Sequence, residues 1–241
     1  MDPVDAVTAL VLRTKPRACC LHAHEFFLAF QGVLVLVFSG WPPSLAALKS
    51  ELNSSVLGLK TEGAGSKWPK VTLAATVDDA PPLTLSQLEQ IRELCQRHGL
   101  LLRSKCVAVD ALSLVKYTWR GLEAAGLPIS RTLELEKPLD STPPSTGEEE
   151  RVAITLDEWS GNRLSTYLEG ANREGSRASS YREASPSGST IVTFLGPAVT
   201  SGKPLSEALD AFARDVNDSF PGRFVWLDRN SLHCTLRGIV W

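Results

Sequence analysis

Leu232-His233-Cys234-Thr235-Leu236-Arg237-Gly238 is the stretch on which the reading turns. Apolar and polar residues alternate along it with period two, the pattern of a strand with one buried face. Leu232, Cys234 and Leu236 make the apolar set and face a core. His233, Thr235 and Arg237 make the other set: an imidazole, a hydroxyl and a fixed cation on one strip. Thr and Arg suit the oxygens of an anion, and His moves a proton near neutral pH.

The elements before this strip have an earlier counterpart. A strand at 191–195 ends at Gly196-Pro197. A helix at 205–216 follows, with Leu205, Leu209, Phe212 and Val216 on one side, and Trp226 precedes the strip. Near the start of the chain, a strand at 33–38 ends at Gly40 and Pro42-Pro43. A helix at 44–53 carries Leu45, Leu48 and Leu52, and Trp68 precedes Lys70-Val71-Thr72-Leu73. Both series end in x-x-Thr-Leu, so they read as an internal duplication of a strand–helix–strand unit. The earlier strip is then Lys70, Thr72 and Ala74, with Val71 and Leu73 turned inward.

Around these units the chain reads as a mixed α/β fold. Ser86 caps a helix at 87–98 stopped by Gly99, and strands follow at 106–109 and 112–119. A strand at 131–139 belongs to an edge. Residues 140–150 read as a solvated linker and 161–189 as a long mobile loop, with 152–159 a strand or a short helix between them. Residues 1–25 are ambiguous between helix and strand. The expected organisation is one domain over 1–241, with a first lobe at about 26–139 and a second at about 190–241. The segment at about 140–189 links them.

Of the 241 residues, 43% are hydrophobic and 22% charged, with a formal net charge of -2. These values exclude a disordered chain, a collagen and a disulfide scaffold. They also give no global positive field, so neither DNA nor a membrane surface is an expected partner. The apolar run Phe26 to Phe38 is shorter than the ~20 residues that span a bilayer and reads as core strand. Five cysteines with no CxxC pair argue against zinc and for reduced thiols in the cytoplasm or nucleus. Asp2 and Asp5 speak against a secretory leader.

His233-Cys234-Thr235-Leu236 resembles the His-x-Thr/Ser-hydrophobic motif of the two-histidine phosphoesterase superfamily, which includes 2′-5′ RNA ligase-like proteins and cyclic nucleotide phosphodiesterases. Trp68-Pro69-Lys70-Val71-Thr72-Leu73-Ala74 is similar to that superfamily's first motif and its surroundings. The resemblance covers roughly 30–120 and 190–241. It implies a bilobal α/β fold, two pseudo-symmetric strand–helix–strand lobes around a central cleft, with no metal and no cofactor. It also implies His233 as proton-transfer group and Thr72 and Thr235 as phosphate donors. Lys70 stands where the superfamily has its first histidine, and is carried over by position only. A lysine with an ordinary pKa near ~10.4 holds a phosphate better than it shuttles protons. Arg237 would stabilise charge, and Trp68 and Trp226 would stack bases. The implied partner of this monomer is a nucleotide or RNA end bearing a 2′,3′-cyclic phosphate or a 2′-5′ linkage.

Other readings stay open at this point. The cleft could bind such an end without turning it over. The chain could instead be an interaction domain that meets a protein partner through 140–189. His22 and His24 share a strand face without a third metal ligand, His98 suits a helix C-terminus, and the acids at 148–150 suit a linker. Arg173, Arg177 and Arg182 sit among glutamates, as on a solvated loop. The deciding expectation is geometric: Lys70, Thr72, His233 and Thr235 should converge on one cleft.

Overall fold

The computed structural model describes residues 2–55, 59, 62, 67–123, 129–183, 188–199 and 203–240. Helix α1 (Pro3–Thr14) resolves the N-terminal ambiguity. Asp2 caps it and Pro3 opens it, and Val7, Leu10 and Val11 are buried. Strand β1 (Arg17–Ala29) and strand β2 (Val33–Phe38) form a hairpin. The apolar run at 26–38 is therefore two strands, not one. Gln31 and Gly32 adopt positive φ of 68° and 73° between them, and Gly32 packs so close to Thr76 that a Cβ would collide with its hydroxyl.

Helix α2 (Pro43–Ser55) and strand β3 (Lys70–Thr76) complete the first unit. Helix α3 (Leu85–Gly99) starts one turn signal earlier than the Ser86 reading. Thr84 is the cap, in a reciprocal capping box with Gln87. Strands β4 (Cys106–Val109), β5 (Ala111–Tyr117), β6 (Ile129–Glu134) and β7 (Glu136–Asp140) follow.

The region 140–189 departs from expectation. Ser145 caps helix α4 (Thr146–Asp157), which carries Glu148 and Glu149 in its first turn, where the helix dipole favours acids. Helices α5 (Leu164–Asn172) and α6 (Ser179–Arg182) come next, while 184–187 lie outside the described residues. Ile154 is exposed, but the aromatic residues Trp159 and Tyr167 are buried against the chain's own β1. Trp159 meets Phe27 edge-on at 4.6 Å, and the Tyr167 hydroxyl donates to the Leu28 carbonyl at 2.6 Å. Tertiary burial outweighs the polar composition.

Strand β8 (Gly188–Phe194), helix α7 (Pro204–Ser219), strand β9 (Phe224–Trp226) and strand β10 (His233–Val240) end the chain. The sheet order is β4-β1-β2-β3-β10-β8-β5-β6, with β7 beside β1 and β9 beside β3. Every pair is antiparallel except β1 with β7. Asp110 alone separates β4 from β5, so one stretch of chain borders both β1 and β8, and the sheet curls into a half-barrel. Phe26 of β1 stacks on Phe212 of α7 at 4.0 Å, both fully buried. Arg97 and His98 of α3 grip Asp215 of α7 at 2.8 and 2.9 Å. Among the described residues no helix is long and apolar enough to cross a membrane.

Candidate functional site

β3 and β10 lie side by side at the middle of the sheet, although their residues are far apart in sequence. Val71 stands opposite Cys234. Opposed residues of an antiparallel pair share a face, and their neighbours take the other. Val71 and Cys234 are buried, while Lys70, Thr72, His233 and Thr235 occupy the opposite face and are partly exposed. The register sets Thr72 across from His233 and Lys70 across from Thr235. The four side chains singled out by sequence therefore gather on one face.

The flanking strands repeat this arrangement. Val35 and Val37 of β2 stand beside Thr72 and Lys70. Val192 and Phe194 of β8 stand beside Thr235 and His233. The ladder is thus mapped onto itself by a local twofold at the Val71–Cys234 pair. The match extends to a defect. β3 slips by one residue after Thr72, so that Ala74 faces Leu34, and β10 slips by one after Thr235, so that Arg237 faces Ile191. Each strand has a β-bulge immediately after its threonine, a feature that re-aims the next side chain.

Two expected site residues leave the site for this reason and one other. Arg237 shares its face with Ile191, and Val192 beside it belongs to the opposite, polar face. The bulge therefore turns Arg237 away from His233. Its Nε donates to Asn53 Oδ1 at 2.8 Å, its Nη1 to the Gly238 carbonyl at 3.0 Å, and it is 4% exposed. Strict alternation, which placed Arg237 beside His233 and Thr235, fails here. Trp226 lies opposite Ala74 on β3, beyond the other bulge. Its ring meets Phe212 edge-on at 6.1 Å and its Nε1 donates to Asn217 at 2.9 Å. It packs on α7, on the face away from His233.

Trp68 stays with the site. The Lys70 ammonium sits 4.3 Å from its ring centroid, a cation–π contact, and Phe27 closes the ring from behind at 6.0 Å. Among the described residues Lys70 has no carboxylate partner, and neither threonine hydroxyl makes a hydrogen bond. Burial lowers the Lys70 pKa to about 8, with only the nearby Cys234 thiol acting the other way.

His233 Nδ1 lies 2.7 Å from the Ser231 carbonyl. A carbonyl only accepts, so the tautomer assigned from this contact carries its hydrogen on Nδ1 and leaves a lone pair on Nε2. Burial lowers the His233 pKa, and the Ser231 contact opposes that shift in part. The ring is therefore a neutral base at pH 7. Phe194 meets it edge-on at 6.0 Å.

Sequence reasoning passed over Phe194 and Ser231. The repeat itself could have found Phe194, which occupies the place of Val37. Ser231 contributes only a backbone carbonyl, which no side-chain pattern reports.

The other half of β10 is held from the α2 side. The bulge frees the Leu236 carbonyl from the ladder, and Lys49 Nζ donates to it at 2.8 Å. Lys49 also pairs with Glu62 and lies 5.1 Å from the Trp41 ring centroid. Lys49 and Asn53, one helical turn apart, thus hold the bulge and Arg237 together. Among the described residues no group of three His, Cys, Asp or Glu side chains is placed to hold a metal ion. What the arrangement offers is one neutral base, one ammonium of lowered pKa and two unpaired hydroxyls on a shared face. No protein-family model, curated protein or solved structure matches this chain.

Proposed function

We propose that this face binds the phosphate of a nucleotide or RNA end and acts on a 2′,3′-cyclic phosphate or a 2′-5′ linkage. The single observation that carries the reading is the twofold register about Val71 and Cys234, which sets Lys70 and Thr72 against Thr235 and His233. An ammonium without a carboxylate and two hydroxyls without partners call for an anion with several acceptor oxygens. The two strand–helix–strand units are read as two lobes that share this centre.

For a cyclic phosphate the roles follow from the protonation states. Nε2 of His233 takes a proton from water as the water oxygen bonds to phosphorus. The bond from phosphorus to the ribose oxygen breaks, and that oxygen takes a proton from the Lys70 ammonium. With a pKa of about 8, Lys70 is protonated at pH 7 and still acidic enough to give the proton up. Thr72 and Thr235 donate to the non-bridging oxygens. Lys70 thus takes, in its protonated state, the place that the first histidine holds in the resembled superfamily.

The test is turnover of 2′,3′-cyclic nucleotides by wild type, His233→Ala and Lys70→His, at several pH values. The expected result is activity in wild type that rises through the lowered His233 pKa and falls above pH ~8, with Lys70→His active and its alkaline limb shifted downward. No turnover by any of the three overturns the catalytic form of the proposal. Titration with a 3′-phosphorylated oligonucleotide then decides whether binding alone remains. Such binding weakens with salt and with Lys70→Met.

A further inference from the structure

We propose that Glu123 is a positioning residue for His233, acting through Arg182 and the turn that leads into β10. Its catalytic importance rests on the proton-transfer role given to His233 above, whereas its geometry does not. Arg182, from α6, grips Glu123 with two bonds: Nε to Oε2 at 2.9 Å and Nη2 to Oε1 at 3.0 Å. The same Nη2 donates to the Trp226 carbonyl at 3.0 Å. Glu123 Oε1 then accepts the Asp228 amide at 3.0 Å. The carboxylate thus ties the last residue of β9 to the first residue of the turn.

Inside the turn each bond hands the constraint on. The Asp228 side chain accepts from the Asn230 amide at 2.8 Å, and its carbonyl accepts from the Ser231 amide and hydroxyl at 2.9 and 2.8 Å. The Ser231 carbonyl is aimed by these bonds at His233 Nδ1, 2.7 Å away. A fork of two parallel bonds fixes orientation better than a single contact. Among the described residues, the groups seen to face His233 are the Ser231 carbonyl at Nδ1, Phe194 from β8 on its flank, and Thr72 across the ladder. The carbonyl is the one of these that distinguishes the two ring nitrogens.

Glu123 itself is well held. Burial alone would raise its pKa, but the Arg182 guanidinium and the Asp228 amide outweigh it and keep the carboxyl below its ordinary value. The clasp also gives a purpose to α6, which sits in the stretch read from sequence as a mobile loop. It delivers an arginine to the approach of β10 from 51 residues before His233, a separation of 233 minus 182.

The experiment is ¹⁵N NMR of the histidine rings in the full chain, in wild type and Glu123→Gln, at a pH where His233 is neutral. Its signal is assigned with His233→Gln. Wild type is expected to show hydrogen on Nδ1 and a bare Nε2. Glu123→Gln cannot fork with Arg182, and the tautomer ratio is expected to fall by roughly three- to tenfold, the equilibrium value of one hydrogen bond. An unchanged ratio in folded Glu123→Gln overturns the inference, as does wild type carrying its hydrogen on Nε2. Should Glu123→Gln fail to fold, Arg182→Lys is read the same way, since lysine cannot make the fork. A shifted ratio together with no turnover or binding of any cyclic phosphate by wild type keeps the positioning role and removes the phosphoester reading.

Discussion

Lys70 and Thr72 on β3 occupy the same places in the ladder as His233 and Thr235 on β10, yet what stands behind them differs. The first pair has an aromatic floor: Lys70 lies on Trp68, and the residue past its bulge is Ala74. The second pair is held by polar groups. Ser231 orients His233, Lys49 satisfies the bulged Leu236 carbonyl, and Arg237 is anchored on Asn53. A strand frame with one bulge can therefore be used twice while its supports diverge. The apolar support tunes a lysine by desolvation, and the polar support fixes which histidine nitrogen is basic.

The largest effect that would break this comparison is on turnover. His233→Ala is expected to lower cleavage of a 2′,3′-cyclic nucleotide by about 10²–10⁴-fold, with folding unchanged by circular dichroism. A loss in Thr72→Ala matching that in Thr235→Ala would sharpen it, because the twofold makes the hydroxyls equivalent.

Stability distinguishes the two supports next. Lys49→Met removes a buried cation from beside Glu62, which keeps its contact with Asn53 Nδ2 at 3.3 Å, and takes the side-chain donor from the Leu236 carbonyl, so urea unfolding should show a loss of about 3–5 kcal/mol. In the first unit the bulged Leu73 carbonyl accepts instead from the Leu227 backbone amide at 2.9 Å, and Ala74→Ser, which buries one hydroxyl, should cost less in the same experiment, about 1–3 kcal/mol. Phe212→Ala, which empties the stack against Phe26, sets the scale for an apolar support at about 3–5 kcal/mol.

Lys70→Met carries the opposite sign. The folded pKa of about 8 lies below the ordinary 10.5. The unfolded chain therefore holds more protons between those values, and stability rises with pH across that window. Below pH 8 the partly desolvated ammonium costs its full amount. Removing it should stabilise the protein at pH 7 by roughly 1–3 kcal/mol while weakening anion binding. A Lys70→Met protein that is no more stable than wild type would show that the lysine is not desolvated.

The smallest effect lies outside the site. Asp215 is held below its ordinary carboxylate range, first by its hydrogen bond to His98. That contribution is present above the unfolded carboxylate pKa and is lost as pH falls through the folded one. Asp215→Asn should flatten the acid limb of the stability profile, and an unchanged limb would show that the α3–α7 clasp is ornamental to folding.

Local pattern was enough for the strands that carry the site. Val33 to Phe38 is apolar throughout and rich in β-branched residues, 71–73 and 232–237 alternate, and the apolar spacing of α2, α3 and α7 is helical. The caps and stops were less legible: Thr84 and not Ser86 caps α3, α2 already begins at Pro43 ahead of Ser44, whose hydroxyl donates to the Arg17 carbonyl, and Gly99 keeps helical φ and ψ and leads into a 3-10 turn rather than stopping the chain. The helices of 146–182 were not legible. Their apolar residues are few, and they fold because Phe27, Leu28 and Phe30 await Trp159, Tyr167 and Gly170. That information is not within the segment.

By itself, then, the sequence determined a mixed α/β chain with two alike strand–helix–strand units and a polar strip on each, since hydrophobic period and turn chemistry act within a few residues. Tertiary structure alone decided that the two strips lie side by side, since pairing of β3 with β10 closes a loop of 163 residues, the difference between 70 and 233, about which neither strand's pattern says anything. It also decided membership of the site. A one-residue bulge reverses every side chain beyond it, which sent Arg237 to α2, and the seating of β9 against β3 sent Trp226 to α7.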